Sequence, residues 1–289
     1  MGDEWIMICK KIQLSETDEN VFLEACIADK VGDFVRKAIL VIPGGGYGEI
    51  CSEREGEPIG MAFMPYGYNY FVLHYSVNRA KKFPSQLIEA AMAIKHIKDN
   101  AEEYGIDPEQ VFVTGFSAGG HLCACCGTMW NKKEIYDKID MPYGYNKPRG
   151  IMPIYPVVSS AVSEEKTGEM SKSLGKKIGK TFMNLLCSDD PSVEELQSCS
   201  VERFVTPESS PAFIVHTSTD EVVNVNNSLL LAQAYAASNV KFELHIYPDA
   251  PHGMALGNKI TKCGVEKWCN EALAIWVEQA AFWADNDSI

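Results

Sequence analysis

Ser117 lies in Gly115-Phe116-Ser117-Ala118-Gly119, and His252 lies in Pro251-His252-Gly253. A serine hydroxyl is a weak nucleophile near neutral pH. It attacks an acyl carbonyl only when a base takes its proton and an acid orients that base. Of the six histidines, His74 and His245 fall mid-strand, His96 mid-helix and His121 inside the segment that follows Ser117. These positions suit structural imidazoles, and His216, near a strand end, is a weaker candidate base. His252 stands in a loop just past a strand, the edge where sites assemble in open α/β sheets. Asp220, just after another strand, is the favoured acid, with Glu221 and Asp249 as rivals. The order Ser117, Asp220, His252 is that of an acyl-transfer triad on a parallel sheet. A third element is Pro43-Gly44-Gly45-Gly46-Tyr47-Gly48. Glycines clustered after a strand let backbone amides face a developing oxyanion unobstructed; the structural alternative is a flexible turn.

Elements that could position these groups are legible in the chain. Val111-Phe112-Val113-Thr114 reads as a buried strand running into the Ser117 turn. Leu122-Cys123-Ala124-Cys125-Cys126 reads as the packed helix after it. Strand, sharp turn and helix are the context that a nucleophile elbow requires. Ala38–Ile42 is a continuous apolar run that enters the glycine loop, hence a strand buried on both faces. Further strands are expected at 21–27, 70–75, 150–155, 212–217 and 242–247. Helices are expected from Ser85 to Gly105, from Asn227 to Ser238, and from about Gly264 to Trp283. In the first of these, Leu87, Ala91, Ile94 and Ile97 share one face. Asp107-Pro108 reads as a turn. Strands alternating with helices predict βαβ units and a mostly parallel sheet in a single α/β domain over 1–289. The rhythm breaks at 159–210, a polar stretch that reads as a small cap or lid insertion. Its lysines Lys166, Lys172, Lys176, Lys177 and Lys180 read as a solvated face.

Composition narrows the function classes. The net charge of -13 argues against nucleic acid and anionic membranes, which need a positive surface. No apolar run approaches the length of a transmembrane helix. The N-terminus carries neither a secretory nor a myristoylation pattern, and a cytoplasmic protein is expected. Of the ten cysteines, Cys123, Cys125 and Cys126 crowd one helix and point to different faces, and the other seven are scattered with no C-x-x-C pair; all are expected to act as small hydrophobes.

With these residues in view, the chain resembles the α/β-hydrolases over nearly its whole length. Within them it resembles the small esterases that include acetyl-xylan and other carbohydrate acetyl esterases. The stretches that carry the resemblance are Pro43–Tyr47, Arg54-Glu55-Gly56-Glu57-Pro58, Tyr104–Pro108, Gly115–His121, His216-Thr217 with Asp220, Asn227-Ser228-Leu229 and Pro251–Gly253. The resemblance implies Ser117 as nucleophile, His252 as base and Asp220 as acid. It also implies oxyanion donors from the amides of Ala118 and of Gly45 or Gly46. Lipases and hormone-sensitive-type esterases carry a histidine before the glycines; Pro43 stands there in this chain. Asn224 replaces a proline usual in these relatives after the acid. The expected activity is hydrolysis of short-acyl, acetyl-type esters of small molecules, acetylated sugars among them, with no metal or organic cofactor. An arylformamidase or small peptidase would use the same triad, and a non-catalytic binding protein is the alternative from another class.

Overall fold

The computed structural model describes residues 7–162, 169–170 and 177–286. Strands β1 (Ile8–Gln13), β2 (Phe22–Ile27), β3 (Arg36–Ile42), β4 (Tyr68–His74), β5 (Ile106–Phe116) and β6 (Gly150–Ile154) are joined in the main sheet by β9 (Ala212–Thr217) and β10 (Phe242–Tyr247). β7 (Glu169–Met170) and β8 (Lys177–Ile178) form a separate antiparallel pair. The order across the sheet is β1-β2-β4-β3-β5-β6-β9-β10. β1 and β2 pair antiparallel, as do β2 and β4, and every later pair is parallel.

The helices are α1 (Ser52–Glu55), α2 (Glu57–Phe63), α3 (Ser85–Asp99), α4 (Ala101–Tyr104), α5 (Ala118–Thr128), α6 (Lys133–Tyr136), α7 (Lys180–Leu185), α8 (Val193–Ser198), α9 (Asn226–Ala237) and α10 (Trp276–Ala284). Side chains alternate across a strand, so β3 feeds two cores. Leu40 and Ile42 pack with Leu87, Ile94, Leu122 and Leu231 of α3, α5 and α9. Ile39 and Val41 pack with Ile59, Phe63, Trp276 and Ala280 of α2 and α10. Helices on both faces of a mostly parallel sheet in this order make the α/β-hydrolase fold.

Three expectations need correction. The helix opening at Ser85 stops at Asp99, where the Asn100 side chain takes the His96 carbonyl at 2.7 Å; α4 follows and ends at Gly105, φ 61°. Asp107-Pro108 belongs to β5, which starts at Ile106 beside a register shift opposite Arg36 and Ala38. The C-terminal helix is only α10. Before it, Gly264 takes φ 79° and the Asn270 side chain accepts the Leu273 amide, so 264–275 folds as turns with a 3-10 turn at Glu266–Trp268.

Cys9 and Cys26 are not free thiols. They face one another across the antiparallel β1–β2 ladder and form a disulfide. β1 is a largely exposed edge strand with no apolar alternation to announce it, so the pairing left no trace in the spacing. Cys123, Cys125, Cys126 and Cys199 are buried free thiols, as expected. Lys166, Lys172 and Lys176 lie outside the described residues. Among the described residues no helix is long and apolar enough to cross a membrane.

Candidate active site

β5 delivers Phe116 into the sheet and α5 begins at Ala118, so the chain reverses at Ser117. Its backbone sits at φ 54°, ψ -115°, a region in which a non-glycine residue stores strain. Surrounding bonds hold it there. The Ser117 amide donates to Ile154 O at 3.1 Å, and its carbonyl accepts the amides of His121 and Val157 at 3.0 and 3.2 Å. The flanking glycines are obligatory. A Cβ on Gly119 would meet Ile42 O at 2.1 Å, and one on Gly115 would meet Gly119 O at 2.2 Å.

The three predicted side chains meet at this turn. His252 Nε2 lies 2.9 Å from Ser117 Oγ, and His252 Nδ1 lies 2.7 Å from Asp220 Oδ2. Since the carboxylate can only accept, Nδ1 carries the proton and Nε2 is left to accept from the serine. Asp220 is fixed from below. Its Oδ1 accepts the amides of Val222 and Val223, each at 2.9 Å. Burial pushes the Asp220 carboxyl up, but hydrogen bonds from His216 and His252 outweigh it and hold the group well below the usual carboxylate range. Neither rival acid takes the His252 ring. Thr217 Oγ1 bonds Ala250 O at 2.7 Å and so ties the His252 loop to the end of β9.

His216 is buried under Asp220. Its Nε2–H donates to Val223 O at 3.0 Å, with Asp220 Oδ2 at 3.4 Å, and its Nδ1 accepts from Ser228 Oγ at 2.7 Å. It therefore braces the acid and is not placed to act as base. His74, His96 and His245 contact Glu24, Tyr104 and Glu243 on strands and helices.

The glycine loop closes the other side. Gly45 takes φ 127° and Gly46 φ 62°; a Cβ on Gly45 would also meet Glu49 O at 2.1 Å. Gly45 O accepts the amides of Gly48 and Glu49, curling the loop. Gly45, Gly46, Ser117 and His252 line one cleft of about 410 Å³ together with Arg54, Lys180, Thr181 and Asn184. Lys180 is exposed, as expected of a solvated face, and also lines the cleft. Asn184 Nδ2 donates to Gly46 O at 3.0 Å, joining α7 to the loop.

Several residues at the site were missed in the sequence. Glu55, Tyr155 and Trp268 hold the loops that carry Gly44 and His252. Arg54-Glu55 stood in a stretch that carries the resemblance, but spacing does not reveal which loops those side chains reach.

The BD-FAE family model matches residues 28–235, which include Ser117 and Asp220. The chain belongs to the BD-FAE family. A second model, the dienelactone hydrolase family, matches residues 202–275, which include Asp220 and His252. This BD-FAE member is 28% identical to an acetylxylan esterase of Xylanibacter ruminicola, over 76% of this chain and 42% of that protein. It spans about a third to a half of the length of the curated relatives it matches. Two solved structures align along nearly the whole chain. The carboxylesterase Cest-2923 from Lactobacillus plantarum is 26% identical with a TM-score of 0.78, over 97% of both chains. An acetyl ester-xyloside bifunctional hydrolase from Caldicellulosiruptor lactoaceticus is 29% identical with a TM-score of 0.74, over 96% of this chain and 95% of that one.

Proposed function

We propose that this BD-FAE member is a serine ester hydrolase that works through Ser117, His252 and Asp220. The observation that carries the reading is the unbroken contact chain from Ser117 Oγ to His252 to Asp220, opening on a cleft. In the reaction, His252 Nε2 takes the hydroxyl proton as Oγ attacks the ester carbonyl. The oxyanion is met by the amides of Ala118 and of Gly45 or Gly46; among the described residues no acceptor takes these N–H groups. His252 then protonates the departing alcohol. Water, deprotonated by the same imidazole, releases the acid from the acyl-enzyme. Each oxyanion donor contributes roughly 3 kcal/mol to lowering the barrier. The chain's own residues supply every step, so no metal or organic cofactor is called on.

The substrate we propose is a short-acyl ester, with acetate as the acid and a sugar-like alcohol. The names of the relatives point to acetylated carbohydrate. The polar wall that Glu49, Arg54, Lys180, Thr181 and Asn184 give the cleft suits such an alcohol. In this reading residues 1–289 form one domain, and 159–210 is a small cap whose helix α7 walls the cleft.

The test is hydrolysis of p-nitrophenyl esters from two to ten carbons, followed by acetate release from acetylated sugars. A short-acyl site forces longer chains against packed side chains at roughly 1–3 kcal/mol. kcat/KM is therefore expected to fall by about tenfold or more from acetyl to hexanoyl. A maximum at eight or ten carbons would replace the acetyl reading with a lipase-like one. Activity on arylformamides or peptides alone would move the same triad to another bond. Inertness toward all of these, with Ser117 unreactive to fluorophosphonate, would leave a non-catalytic binder.

A further inference from the structure

The glycine loop and the histidine loop are both held by one four-residue helix, α1. Glu55, its last residue, is 2% exposed. Glu55 Oε2 accepts the Gly44 amide at 2.8 Å, and Oε1 accepts the Tyr155 hydroxyl at 2.8 Å. The Tyr155 oxygen in turn accepts the Ala255 amide at 3.1 Å, and its ring lies edge-on to His252 with centroids 4.8 Å apart. The neighbouring Arg54 donates to Gly253 O at 2.5 Å and lies 4.4 Å over the Trp268 ring. Trp268 Nε1 donates to His252 O at 2.9 Å. The carbonyls of His252 and Gly253 and the amide of Ala255 thus lead back to residues 54 and 55.

Burying a carboxylate costs more than filling the same space with an apolar side chain, so scaffolding alone is a poor reason to keep one. What a carboxylate offers is two acceptors and no donor. Glu55 anchors the peptide that enters Gly44 through its N–H, and the next peptide, which carries the Gly45 amide, is held at its carbonyl by the Cys51 amide at 3.0 Å, so the two bonds together fix the entry to the glycine loop. Tyr155 must turn its proton toward Glu55, which frees its lone pairs for Ala255 N–H. We infer that Glu55 is a positioning residue: its buried carboxylate sets the glycine-loop amides and, through Tyr155, the His252 loop in one register about Ser117. The inference rests on the proposed esterase reading.

Glu55→Gln keeps the shape but turns one acceptor into a donor. The fixed Gly44 N–H claims the amide oxygen, so the NH₂ faces Tyr155 and the hydroxyl proton loses its acceptor. Tyr155→Phe removes that hydroxyl and leaves Glu55 on Gly44. Both variants and their double are measured for kcat and KM on p-nitrophenyl acetate, for the rate of fluorophosphonate labelling of Ser117, and for Tm. Misplacing a reacting group by even an ångström is costly. Each single variant is expected to lower kcat and the labelling rate by about tenfold or more, with KM held within about twofold and the fold intact. The double variant should lose less than the product of the singles, since both act on one link. A folded Glu55→Gln with wild-type kcat and labelling rate overturns the inference, as do independent effects in the double. If Glu55→Gln does not fold, wild-type rates in Tyr155→Phe overturn it. A wild-type protein that neither hydrolyses the ester nor labels at Ser117 overturns the esterase reading instead.

Discussion

His252 and His121 both border the Ser117 turn, and their surroundings could hardly differ more. His252 sits on the cleft with its side chain 15% exposed, between the hydroxyl of Ser117 and the anionic carboxylate of Asp220. His121 lies one helical turn past Ser117 on α5, with no exposed surface. The rings of Tyr47, Phe83 and Phe182 surround it edge-on. Its Nδ1 meets Tyr47 OH at 2.8 Å and its Nε2 meets Cys199 O at 2.7 Å. A carbonyl only accepts, so Nε2 holds the proton and Nδ1 accepts from the tyrosine. Burial lowers the His121 pKa to about 4, against a smaller upward pull from the Cys199 carbonyl. One imidazole is placed to exchange a proton. The other is a neutral strut joining the elbow helix, the glycine loop at Tyr47 and the 159–210 segment at Cys199.

Exchanging each ring for a methyl group gives the sharpest contrast. His252→Ala is expected to lower kcat by about 10⁴-fold or more, as loss of a triad base does. His121→Ala, assayed at pH 8 under conditions where it is folded, should stay within about tenfold of wild type and show its cost in Tm, since two buried partners lose their bonds. Equal losses of kcat in two folded variants would erase the distinction.

The loop that His121 braces comes next. Proline at Gly45 or at Gly46 deletes one amide N–H and, locked near φ of about -65°, also forces the loop out of its φ 127° or 62°. Both variants are expected to lower kcat by about a hundredfold or more, at least the scale of one oxyanion donor, with Tm showing the sheet still folded. Folded variants with normal kcat at both positions would move the oxyanion site away from this loop.

A third expectation concerns proton linkage. In the unfolded chain a histidine titrates near 6.5, while folded His121 titrates near 4. Between those values the unfolded state binds the extra proton, so stability is full above about 6.5 and falls as pH drops toward 4. The gap corresponds to about 3 kcal/mol. His74 and His96 are also lowered by burial and add to the slope in the same direction. Asp220 acts in a separate window. Its depressed carboxyl adds stability above about 3.9 that is lost only as pH falls further. Urea midpoints from pH 8 to 4 should therefore decline in wild type and flatten in His121→Gln. An unchanged slope in the variant would mean that His121 takes up its proton without unfolding.

The difference between the two histidines also marks what the sequence could reveal. His252 was readable because a lone histidine between proline and glycine just past a strand has few structural uses. Ser117 was readable because its glycines are forced by backbone contacts as close as 2.1 Å. β3 and β9 announced themselves as apolar runs bounded by turns, and both ends of β9 and β10 fall where expected. What stayed hidden depends on contacts between segments far apart in the chain. His121 sits in the Ser117 motif, yet its role is set by Cys199, 78 residues on. Tyr155 looked like the last residue of a strand, and its part comes from Glu55, 100 residues earlier. The edge strand β1 carried no burial pattern, so Cys9 could not be matched to Cys26. The C-terminal helix is shorter than expected because the His252 loop draws the indole of Trp268 to itself and the Asn270 side chain takes the Leu273 amide, contacts that composition does not show.

The mildest change is Tyr47→Phe, which leaves both histidines and removes one oxygen. Tyr47 OH reaches the unprotonated Nδ1 of His121, a bond that only the neutral ring can accept. Without it, Nδ1 is an unpaired acceptor in a buried site, which costs about 1–2 kcal/mol at neutral pH. The protonated ring would lose at least as much, because the phenol oxygen that donates to neutral Nδ1 can also accept from Nδ1–H. Protonation of His121 in the folded state therefore becomes no easier, burial still holds its folded pKa low, and the proton uptake that separates the two states persists. The variant should be less stable than wild type at pH 8, with the deficit undiminished as pH falls through the region of about 6.5 to 4. kcat should change by less than in either proline variant, because the loop amides keep their N–H groups and Tyr75 OH still holds Pro43 O at 2.8 Å. Curves that converge as pH falls would mean that the hydroxyl serves only the neutral ring, as a donor to Nδ1, and gives the protonated ring nothing.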